Sequence, residues 1–358
     1  MKIGIVGAGQ LGRMLAVAGF PYDLQFEFLD SSAATPAGRI APTVVGAFDD
    51  AESLHSLAAR VDLLTYEFEN VPVDALRAVA KLRPCLPPLD ALRVSQDRLY
   101  EKELFRALGI ATPPFRPIDS ERDLETAIAE LGLPAVLKTR RLGYDGRGQR
   151  YLRVAADVEP GWQALKGAPL ILEGFVEFDS EVSIIGARST RGEVRAYPLT
   201  LNTHRDGILR VSRAPAADVP AAAEEAARRV VDALDYVGVL ALELFEAGGA
   251  VLANELAPRV HNSGHWTIEG AVTSQFANHV RAVLGLPLGS TELVAPAAMV
   301  NLIGGVPDVD GLLALPGAHV HLYGKAARPG RKLGHVTLVG TALAGLDELR
   351  RLADAADA

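Results

Sequence analysis

The 358-residue sequence predicts a mixed fold, in which an open α/β layer is followed by a larger α+β part. An apolar strand, Lys2 to Val6, runs into the Gly-x-Gly-x-x-Gly spacing of Gly7–Gly12 and then a helical stretch, which is the β-turn-α pattern of an open parallel sheet. The proline-rich stretch Pro84 to Pro88 marks a boundary. From Phe178 onward, short alternating or β-branched segments separated by turns predict antiparallel strands.

Length and composition limit the class of protein. A chain of this length exceeds what one compact core supports, which predicts two or three domains. A hydrophobic content of 49% with 22% charged residues is typical of a folded globular enzyme. The net charge of −8 disfavours nonspecific nucleic-acid binding as the main activity. Basic loops in an acidic protein instead indicate a small anionic ligand.

Cysteine usage and hydropathy predict the compartment. Cys85 is the only cysteine, so an intrachain disulfide is impossible and a reducing compartment is expected. No apolar run reaches the roughly 18 residues that a membrane-spanning helix needs. The N-terminus also lacks the pattern of a secretory signal peptide. We therefore expect a soluble, cytoplasmic protein with no membrane partner.

Two more apolar strands extend the first layer. Leu24 to Leu29 ends at Asp30, and Val61 to Thr65 ends in Tyr66-Glu67-Phe68-Glu69-Asn70, with helical stretches between them. This order predicts an open α/β layer over about residues 1–90. An acidic residue about 20 positions after a glycine motif also fits a dinucleotide site. An NAD-dependent dehydrogenase is therefore the alternative from a different class of enzyme.

The segment from Lys138 to Gln149 is the most informative part of the chain. It lies between predicted strands at Ala135–Leu137 and Gln149–Leu152, and it alternates glycines with cations. Glycine permits positive φ and lets backbone N–H groups approach an anion closely, which suits a polyphosphate. No Gly-Lys-Ser/Thr follows a four-residue spacer, so this is not a Walker A loop. The alternative is an ordinary basic hairpin turn.

The remaining elements follow in order along the chain. Ser95 is predicted to cap a helix from Gln96 to Leu108. The other predicted strands are Leu170–Leu172, Glu181–Ala187, Glu193–Leu199, Ile208–Ser212, Val239–Phe245, Val251–Leu256, Ala298–Leu302, His319–Leu322 and His335–Val339. Helices are predicted over Ala221–Leu234 and about Thr267–Leu284.

Two glutamates lie in the apolar hairpin around Gly248-Gly249. A two-residue turn places Glu243 across from Asn254, and a three-residue loop places it across from Glu255. Strict alternation would aim Asn254 and Glu255 at opposite faces, so a bulge or a strand end is needed if both bind one ligand. Like charges repel unless a cation or a proton lies between them, and hard oxygen ligands indicate Mg²⁺. The alternative is that one glutamate pairs with an arginine and the other is solvated.

Two later segments concentrate polar residues. Pro258–Trp266 combines an arginine, two histidines, an asparagine and a serine with a glycine, which suits a polar pocket at the end of a strand. His261 and His265 are four residues apart, but the Asn-Ser-Gly between them argues against one helix face and a metal. Lys325, Arg328, Arg331 and Lys332 surround Pro329-Gly330, where either a second anion or only solvent is bound. His204 by itself could be a turn residue.

Taken together, the order of the motifs is distinctive. It runs Gly-x-Gly-Gln-Leu-Gly-Arg-Met, Tyr-Glu-Phe-Glu-Asn-Val, Lys-Thr-Arg-Arg-x-Gly-Tyr-Asp-Gly-Arg-Gly-Gln, Asn-Glu-Leu-Ala-Pro-Arg-Val-His-Asn-Ser-Gly-His-Trp-Thr and Arg-Pro-Gly-Arg-Lys-x-Gly-His. From Ile3 to about Val339, the chain closely resembles the N5-carboxyaminoimidazole ribonucleotide synthases of the ATP-grasp superfamily. The resemblance implies a preATP-grasp (Rossmann-like) domain over 1–95, an ATP-grasp core over 96–288 with lobes 96–173 and 174–288, and a small C-terminal domain over 289–358.

The resemblance also implies ligands for particular residues. ATP would be contacted by Arg98, Lys138, Gly143, Tyr144, Asp145, Gly146, Arg147, Gly148, Gln149, Glu173, Gly174, Phe175, Val176, Glu181, His204, Asn254 and Glu255. Glu243 and Glu255 would hold Mg²⁺, with Mn²⁺ as a possible substitute. The catalytic residues, which would face bicarbonate and the aminoimidazole ribonucleotide, would be Asp145, Arg259, His261 and Lys332. Ribonucleotide-binding residues would be Gln10, Leu11, Glu67, Lys325, Arg331 and Lys332.

The activity implied by the resemblance belongs to purine biosynthesis. ATP, bicarbonate and 5-aminoimidazole ribonucleotide would give ADP, phosphate and N5-carboxyaminoimidazole ribonucleotide through carboxyphosphate, and the family favours a homodimer. Another ATP-grasp ligase is the nearest alternative, for example a formate-dependent glycinamide ribonucleotide formyltransferase or a biotin-type carboxylase. The segments 262–266 and 328–335 argue against both. A catalytically idle nucleotide-binding protein is a third alternative, which the set Glu243, Asn254 and Glu255 disfavours.

Overall fold

The N-terminal region is a four-stranded parallel sheet with strand order β3-β2-β1-β4. The computed structural model describes residues 1–143, 146–216 and 222–357. The elements of this region are β1 (Lys2–Val6), α1 (Gln10–Gly19), β2 (Gln25–Asp30), β3 (Thr43–Val45), α2 (Ala51–Ala59), β4 (Leu63–Tyr66) and α3 (Val73–Val79). Strands β1, β2 and β4 are almost wholly buried, as expected of parallel strands with both faces covered. The predicted open α/β layer is confirmed.

Two helices, α4 (Leu89–Ser95) and α5 (Arg98–Ala107), follow the proline-rich boundary. The prediction that Ser95 caps a helix from Gln96 is wrong, because Ser95 ends α4 and its hydroxyl donates to the carbonyl of Leu92 at 3.0 Å. Asp97 caps α5 instead, and its carboxylate accepts the N–H of Leu99 at 3.0 Å. Aspartate at this position satisfies one of the unpaired N–H groups of the first helical turn.

A second sheet has four antiparallel strands in the order β5-β8-β6-β7. Its elements are β5 (Phe115–Ile118), α6 (Glu121–Leu131), β6 (Ala135–Thr139), β7 (Gln149–Leu152), α7 (Val158–Leu165) and β8 (Leu170–Gly174). A core of buried aliphatic residues holds α6 on this sheet, with Leu124, Leu137 and Leu172 among them. The glycine-rich segment joins β6 to β7 and is therefore the loop of an antiparallel hairpin.

The third sheet is the largest, with nine strands. The elements of this region are β9 (Ser180–Arg188), β10 (Val194–Ala196), β11 (Thr200–Arg205), β12 (Ile208–Ala214), α8 (Ala222–Ala233), β13 (Gly238–Ala247), β14 (Ala250–Ala257), α9 (Thr267–Gly270), α10 (Gln275–Val283), β15 (Ala297–Ile303), α11 (Val309–Leu313), β16 (Ala318–Leu322), β17 (Lys332–Val339) and α12 (Leu346–Ala356). The strand order is β14-β13-β9-β11-β12-β15-β17-β16, with β10 paired to β9. All these pairs are antiparallel, as predicted.

Two predictions for this region need correction. The predicted strand Glu193–Leu199 is shorter, because β10 covers only Val194–Ala196 and a separate strand begins at Thr200. The predicted helix Thr267–Leu284 is divided into α9 and α10. Ala271 is extended and bridges to Leu293, and the side chain of Ser274 caps a new helix by accepting from the N–H of Ala277.

The C-terminal strands continue the large sheet. Strand β12 pairs with β15, with Val211 opposite Val300 and Ser212 opposite Met299. Helix α12 covers this end of the sheet through Leu346, Leu349 and other buried aliphatic residues. The predicted domain boundaries at 95, 173 and 288 stay a prediction. Within residues 1–143, 146–216 and 222–357, no helix is long and apolar enough to cross a membrane.

Candidate active site

A cleft of about 1100 Å³ lies where the three sheets meet. Residues from the glycine turn after β1, from the small sheet and from the large sheet all line it. The predicted site residues in its lining are Gln10, Leu11, Glu67, Arg98, Lys138, Gly143, Gly146, Arg147, Gln149, Glu173, Gly174, Val176, Glu181, His204, Glu243, Asn254, Glu255, Arg259, His261, Lys325 and Lys332. Residues separated widely in sequence thus share one cavity.

Three predicted residues do not line this cleft. Gly148 has φ of +71°, and a Cβ there would lie 2.5 Å from the hydroxyl of Thr139, so Gly148 permits the loop backbone to pack closely. Phe175 is 42% exposed. Arg331 donates to the carbonyl of Ala326 at 3.2 Å, which places its guanidinium across its own turn. Tyr144 and Asp145 lie outside the described residues.

The glycine turn after β1 is occupied by a carboxylate of the chain itself. Glu67 accepts the N–H of Gly9 at 2.5 Å and the N–H of Gly12 at 2.7 Å, and Asp30 accepts the N–H of Ala8 at 2.9 Å. Burial raises the pKa of Glu67, although these N–H groups and the nearby Lys325 oppose the shift. Glu67 fills the position that a dinucleotide pyrophosphate takes at such a turn. The geometry therefore disfavours the dehydrogenase alternative.

The small-sheet wall of the cleft carries a buried charge cluster. Oε2 of Glu173 lies 2.9 Å from Nζ of Lys138 and 3.6 Å from Nζ of Lys102. Burial by itself would raise the pKa of Glu173, but the two ammonium groups outweigh it and lower the pKa to about 2. Among the described residues, Oε1 of Glu173 has no hydrogen-bond partner. Glu173 is therefore ionised and balanced by cations of the protein.

The cations at the start of the glycine loop are tied to the N-terminus of α5. Arg140 makes a bidentate contact with Asp97, at 2.9 and 2.7 Å. Arg98 donates to the carbonyl of Thr139 at 3.2 Å and lies 3.9 Å from Oε1 of Glu255. Because bidentate pairs fix geometry as well as charge, Asp97 anchors the point where the loop leaves β6.

The hairpin of β13 and β14 brings the two predicted glutamates together. Ala247 pairs with Ala250 across a two-residue turn, which by itself would place Glu243 opposite Asn254. A register shift between Glu243 and Leu244 pairs Glu243 with Glu255 instead and leaves Asn254 as the extra residue. Both Asn254 and Glu255 therefore line the cleft. The bulge that the sequence required for a shared ligand is present.

The carboxylate pair is less fully balanced by charge than Glu173. Burial, and then the charge of Glu255, raise the pKa of Glu243 to about 7. His261 lies 3.2 Å from Oε1 of Glu243, but burial and Arg259 keep its pKa well below the usual value, so the imidazole is neutral. Nδ1 of His261 accepts the N–H of Ser263, and Nε2 is the ring nitrogen that lies near Glu243.

These oxygens fit a divalent cation only in part. In the ranges that the structure describes, no group of three histidine, cysteine, aspartate or glutamate side chains could hold a metal ion. Two facing carboxylates do offer the hard oxygen ligands that Mg²⁺ prefers, and Mg²⁺ in nucleotide sites takes its other ligands from phosphates and water. The donor set therefore fits a Mg²⁺ ion that arrives with a nucleotide.

His204 lies in a strand rather than in a turn. It belongs to β11, where its Nδ1 forms a hydrogen bond with Glu181 of the neighbouring strand β9. Burial alone would lower the pKa of His204, but the Glu181 carboxylate outweighs it and raises the pKa. Both side chains line the cleft beside the hairpin. Strand β11 was not predicted from the sequence and lies between the predicted strands Glu193–Leu199 and Ile208–Ser212.

The opposite end of the cleft is basic. Arg259 forms an ion pair with Glu69, and Nζ of Lys325 lies 5.9 Å from the centre of the Tyr323 ring. Burial lowers the pKa of Lys325 to about 8, reinforced by Arg331 and opposed by Glu67. Glu69 and Tyr323 were not predicted as site residues. Glu69 stands in the quoted Tyr-Glu-Phe-Glu-Asn motif, whereas no local pattern marks Tyr323.

The two neighbouring histidines have different surroundings. A single 3-10 turn, Asn262–Gly264, separates them, so they do not share a helix face, as predicted. His261 lines the cleft, whereas His265 is 1% exposed and packs against Phe276 and His335. Burial lowers the pKa of His265 to about 3, so it is a neutral core residue.

Three domain families match consecutive parts of the chain. The ribonucleotide synthetase preATP-grasp domain matches residues 1–96, the ATP-grasp domain matches residues 103–276, and the phosphoribosylaminoimidazole carboxylase C-terminal domain matches residues 297–349. The N5-carboxyaminoimidazole ribonucleotide synthase of Pseudomonas aeruginosa is 52% identical over 339 residues, which are 94% of each chain.

Solved structures agree with these matches. The N5-carboxyaminoimidazole ribonucleotide synthetase from Thermus thermophilus has a TM-score of 0.94 at 55% identity, over 98% of each chain. The synthase from Aspergillus clavatus, solved in complex with ADP and 5-aminoimidazole ribonucleotide, has a TM-score of 0.92 at 35% identity, over 99% of this chain and 98% of that one. The fold, the order of the motifs and these similarities lead to one assignment: the chain belongs to the N5-carboxyaminoimidazole ribonucleotide synthases, which are ATP-dependent ligases of the ATP-grasp superfamily.

Proposed function

We propose that this protein carboxylates 5-aminoimidazole ribonucleotide with bicarbonate and ATP, giving N5-carboxyaminoimidazole ribonucleotide, ADP and phosphate. One observation carries the proposal. A single cleft holds the facing carboxylates of Glu243 and Glu255, the lysine beside Glu173, and a basic end near the glycine turn. It therefore offers separate places for a metal-bound polyphosphate and for a second phosphorylated substrate. The relatives named as N5-carboxyaminoimidazole ribonucleotide synthases support the choice of substrate.

We infer that ATP lies between the small and the large sheet. Lys138 and Arg98 would contact its phosphates, together with the glycine loop of residues 143–149. Glu173, Gly174, Phe175 and Val176 would lie beside its base, and Glu181, His204 and Asn254 would complete the pocket on the large sheet. The phosphate contacts follow from charge, because these cations line the cleft next to backbone that can approach an anion.

Glu243 and Glu255 would hold Mg²⁺, and Mn²⁺ would also suit these oxygens. The ion, when bound, neutralises charge on the phosphate oxygens during transfer. The chain's own contribution is to hold the two carboxylates opposite each other through the bulge of β14, with Nε2 of His261 at 3.2 Å from Oε1 of Glu243.

The ribonucleotide would lie at the basic end. Its phosphate would meet Lys325 and Lys332, with Arg331 holding the same turn through its bond to Ala326, and Gln10, Leu11 and Glu67 would line the pocket from the first sheet. Arg259, His261 and Lys332 would face bicarbonate between the two ligands, and Asp145 would join them from the glycine loop. Arg259 is already oriented by its ion pair with Glu69.

The reaction would proceed in two steps. A bicarbonate oxygen attacks the γ-phosphorus of ATP, the bond to the β-phosphate oxygen breaks, and carboxyphosphate and ADP form. Carboxyphosphate then releases phosphate, and its carbon is taken by the exocyclic amine, which loses a proton. Arg259 and the lysines stabilise the growing negative charge, and closure of the glycine loop would keep water away from the intermediate. A homodimer in the cytoplasm completes the proposal.

The test is phosphate release from MgATP with bicarbonate, with and without the ribonucleotide. The proposal predicts release that needs both substrates and yields an acid-labile carboxylated ribonucleotide. Glu246→Gln is the matched control for Glu255→Gln, because Glu246 stands on the same hairpin outside the cleft lining and bonds to Ser180. Release that ignores the aminoimidazole, or that needs formate and glycinamide ribonucleotide, would overturn the substrate assignment.

A further inference from the structure

Helix α5 carries two buried charged side chains to which the reaction assigns no role. Glu101 and Lys102 are each 1% exposed, although α5 borders the cleft. A buried charge is costly unless it is paired and hydrogen-bonded. Their partners therefore reveal why the chain places them there.

Lys102 contacts both walls of the cleft. Its Nζ donates to the carbonyl of Asn254 at 2.9 Å and of Ala253 at 3.2 Å, and it lies 3.6 Å from Oε2 of Glu173. Asn254 is the extra residue of the bulge in β14, whereas Glu173 belongs to β8 of the small sheet. One ammonium group thus joins the strand that carries Glu255 to the strand that carries Glu173.

Glu101 holds the other side of the same bulge. Its Oε1 accepts the N–H of Leu256 at 2.5 Å. The backbone groups immediately before and after Glu255 are therefore both bound by adjacent side chains of α5. A bulge locally disrupts the ladder of hydrogen bonds, so such contacts are needed to fix its geometry.

We propose that Lys102 is a positioning residue, which fixes the bulge of β14 so that Glu255 and Asn254 face the nucleotide held by the small sheet. The inference rests on the proposed function, because it assumes that Glu255 holds the cation of a bound nucleotide. It adds a physical link: the positions of Glu173, on the nucleotide side, and of Glu255, on the cation side, both depend on the ammonium group of Lys102. Removing that group should weaken the effect that Glu255 has on binding.

The test is a double-mutant cycle on the full-length protein, in which the affinity for ADP is measured. Dissociation constants are measured by calorimetry with and without Mg²⁺ for the wild type, Lys102→Met, Glu255→Gln and the double variant. Methionine keeps an unbranched, flexible chain of similar length and removes the charge. We expect Lys102→Met to weaken binding of ADP with Mg²⁺ by roughly tenfold, because charge-assisted hydrogen bonds are lost.

The cycle separates positioning from general damage. We expect Glu255→Gln to weaken binding at least about threefold less in the Lys102→Met background than in the wild type, since residues of one network are coupled. If the fold-changes in the ADP dissociation constant of the two single variants simply multiply in the double variant, the positioning role is overturned. If Lys102→Met does not fold, Lys102→Gln, which removes the same charge, replaces it in the cycle, and the same weakened effect of Glu255→Gln is expected. A wild type whose ADP binding ignores Mg²⁺ and Glu255→Gln would instead overturn the proposed function.

Discussion

The two walls of the cleft treat negative charge in opposite ways. On the small-sheet wall, Glu173 has Lys138 at 2.9 Å and Lys102 at 3.6 Å, so its charge is balanced by the protein. On the large-sheet wall, Glu243 and Glu255 oppose each other, with a neutral His261 at 3.2 Å from Glu243 and Arg98 at 3.9 Å from Glu255. The charge of Glu173 is balanced within the protein, whereas we propose that a bound cation balances the Glu243–Glu255 pair.

The pKa values of the two walls express this contrast. Both Glu173 and Glu243 are pushed towards the neutral form by burial, yet the lysines lower the pKa of Glu173 to about 2 whereas Glu255 helps to raise that of Glu243 to about 7. The same type of side chain is thus a structural anion on the small sheet and the proposed metal ligand on the large sheet. Neighbouring charges, rather than residue type, therefore decide whether a buried glutamate in this cleft is already paired within the protein.

The largest expected effect comes from a substitution in the Glu243–Glu255 pair of the large sheet. Glu255→Gln keeps the shape of the side chain but removes the charge that would hold the cation against the phosphates. We expect kcat/KM for ATP to fall by about a hundredfold or more, as for other lost electrostatic contacts to a transition state. The measurement is ribonucleotide-dependent phosphate release, with Glu246→Gln within about twofold of the wild type on the scale of surface changes. Intact turnover in Glu255→Gln would contradict the account.

A substitution beside Glu173 on the small sheet should change stability as well as kinetics. Lys138→Met leaves Glu173 with one lysine instead of two, so both stability and the KM for ATP suffer. We expect a loss of about 1–3 kcal/mol in the free energy of unfolding, typical of an uncompensated buried group. Adding Glu173→Gln should restore much of the stability without restoring the KM. Denaturant unfolding and initial rates check this, and recovery of both together would show that the cluster is only structural.

The basic end should respond to pH. Burial lowers the pKa of Lys325 to about 8, so this lysine loses its charge as the pH rises through about 8. Because the proposed phosphate contact needs the ammonium form, kcat/KM for the ribonucleotide should fall tenfold per unit above that pH. Lys325→Arg should remove this limb, since arginine stays charged. If kcat/KM of Lys325→Arg still falls at alkaline pH as in the wild type, the fall is due to another group.

The smallest effect is expected at Arg331. This side chain spans its own turn and bonds to Ala326, whereas Lys325 lines the cleft. Arg331→Ala should raise the KM for the ribonucleotide by less than about threefold, within the range of a modest surface contact. Lys325→Ala should raise the same KM by tenfold or more, on the scale of a charged hydrogen bond. The reverse order would place the phosphate on the other side of the turn.

Local sequence patterns predicted the parts of the structure that depend on near neighbours. The glycine turn after β1, the hairpin around Gly248-Gly249 and the loop between β6 and β7 were all expected where they occur. The register of the hairpin was not decided by its turn, because the bulge at Asn254 is held by side chains of α5. Lys102 and Asn254 are 152 positions apart, so no local pattern could indicate their contact.

The same limit explains the errors at helix ends. Ser95 and Asp97 are both favourable caps, and the choice between them depends on the preceding helix α4, where Ser95 is the last residue. Likewise, Glu67 could be expected near the glycines, but the two N–H bonds that it accepts follow only from strand order. Motif order identified the family, whereas tertiary contacts decided the electrostatics.

The most direct measurement follows oxygen from bicarbonate. Turnover with ¹⁸O-labelled bicarbonate, ATP and the ribonucleotide is analysed by mass spectrometry of the released phosphate. If bicarbonate attacks the γ-phosphorus of the ATP held with its cation by Glu243 and Glu255, each released phosphate should carry one oxygen from bicarbonate. Phosphate whose new oxygen comes from water would contradict the account, because ATP would then be hydrolysed without forming carboxyphosphate.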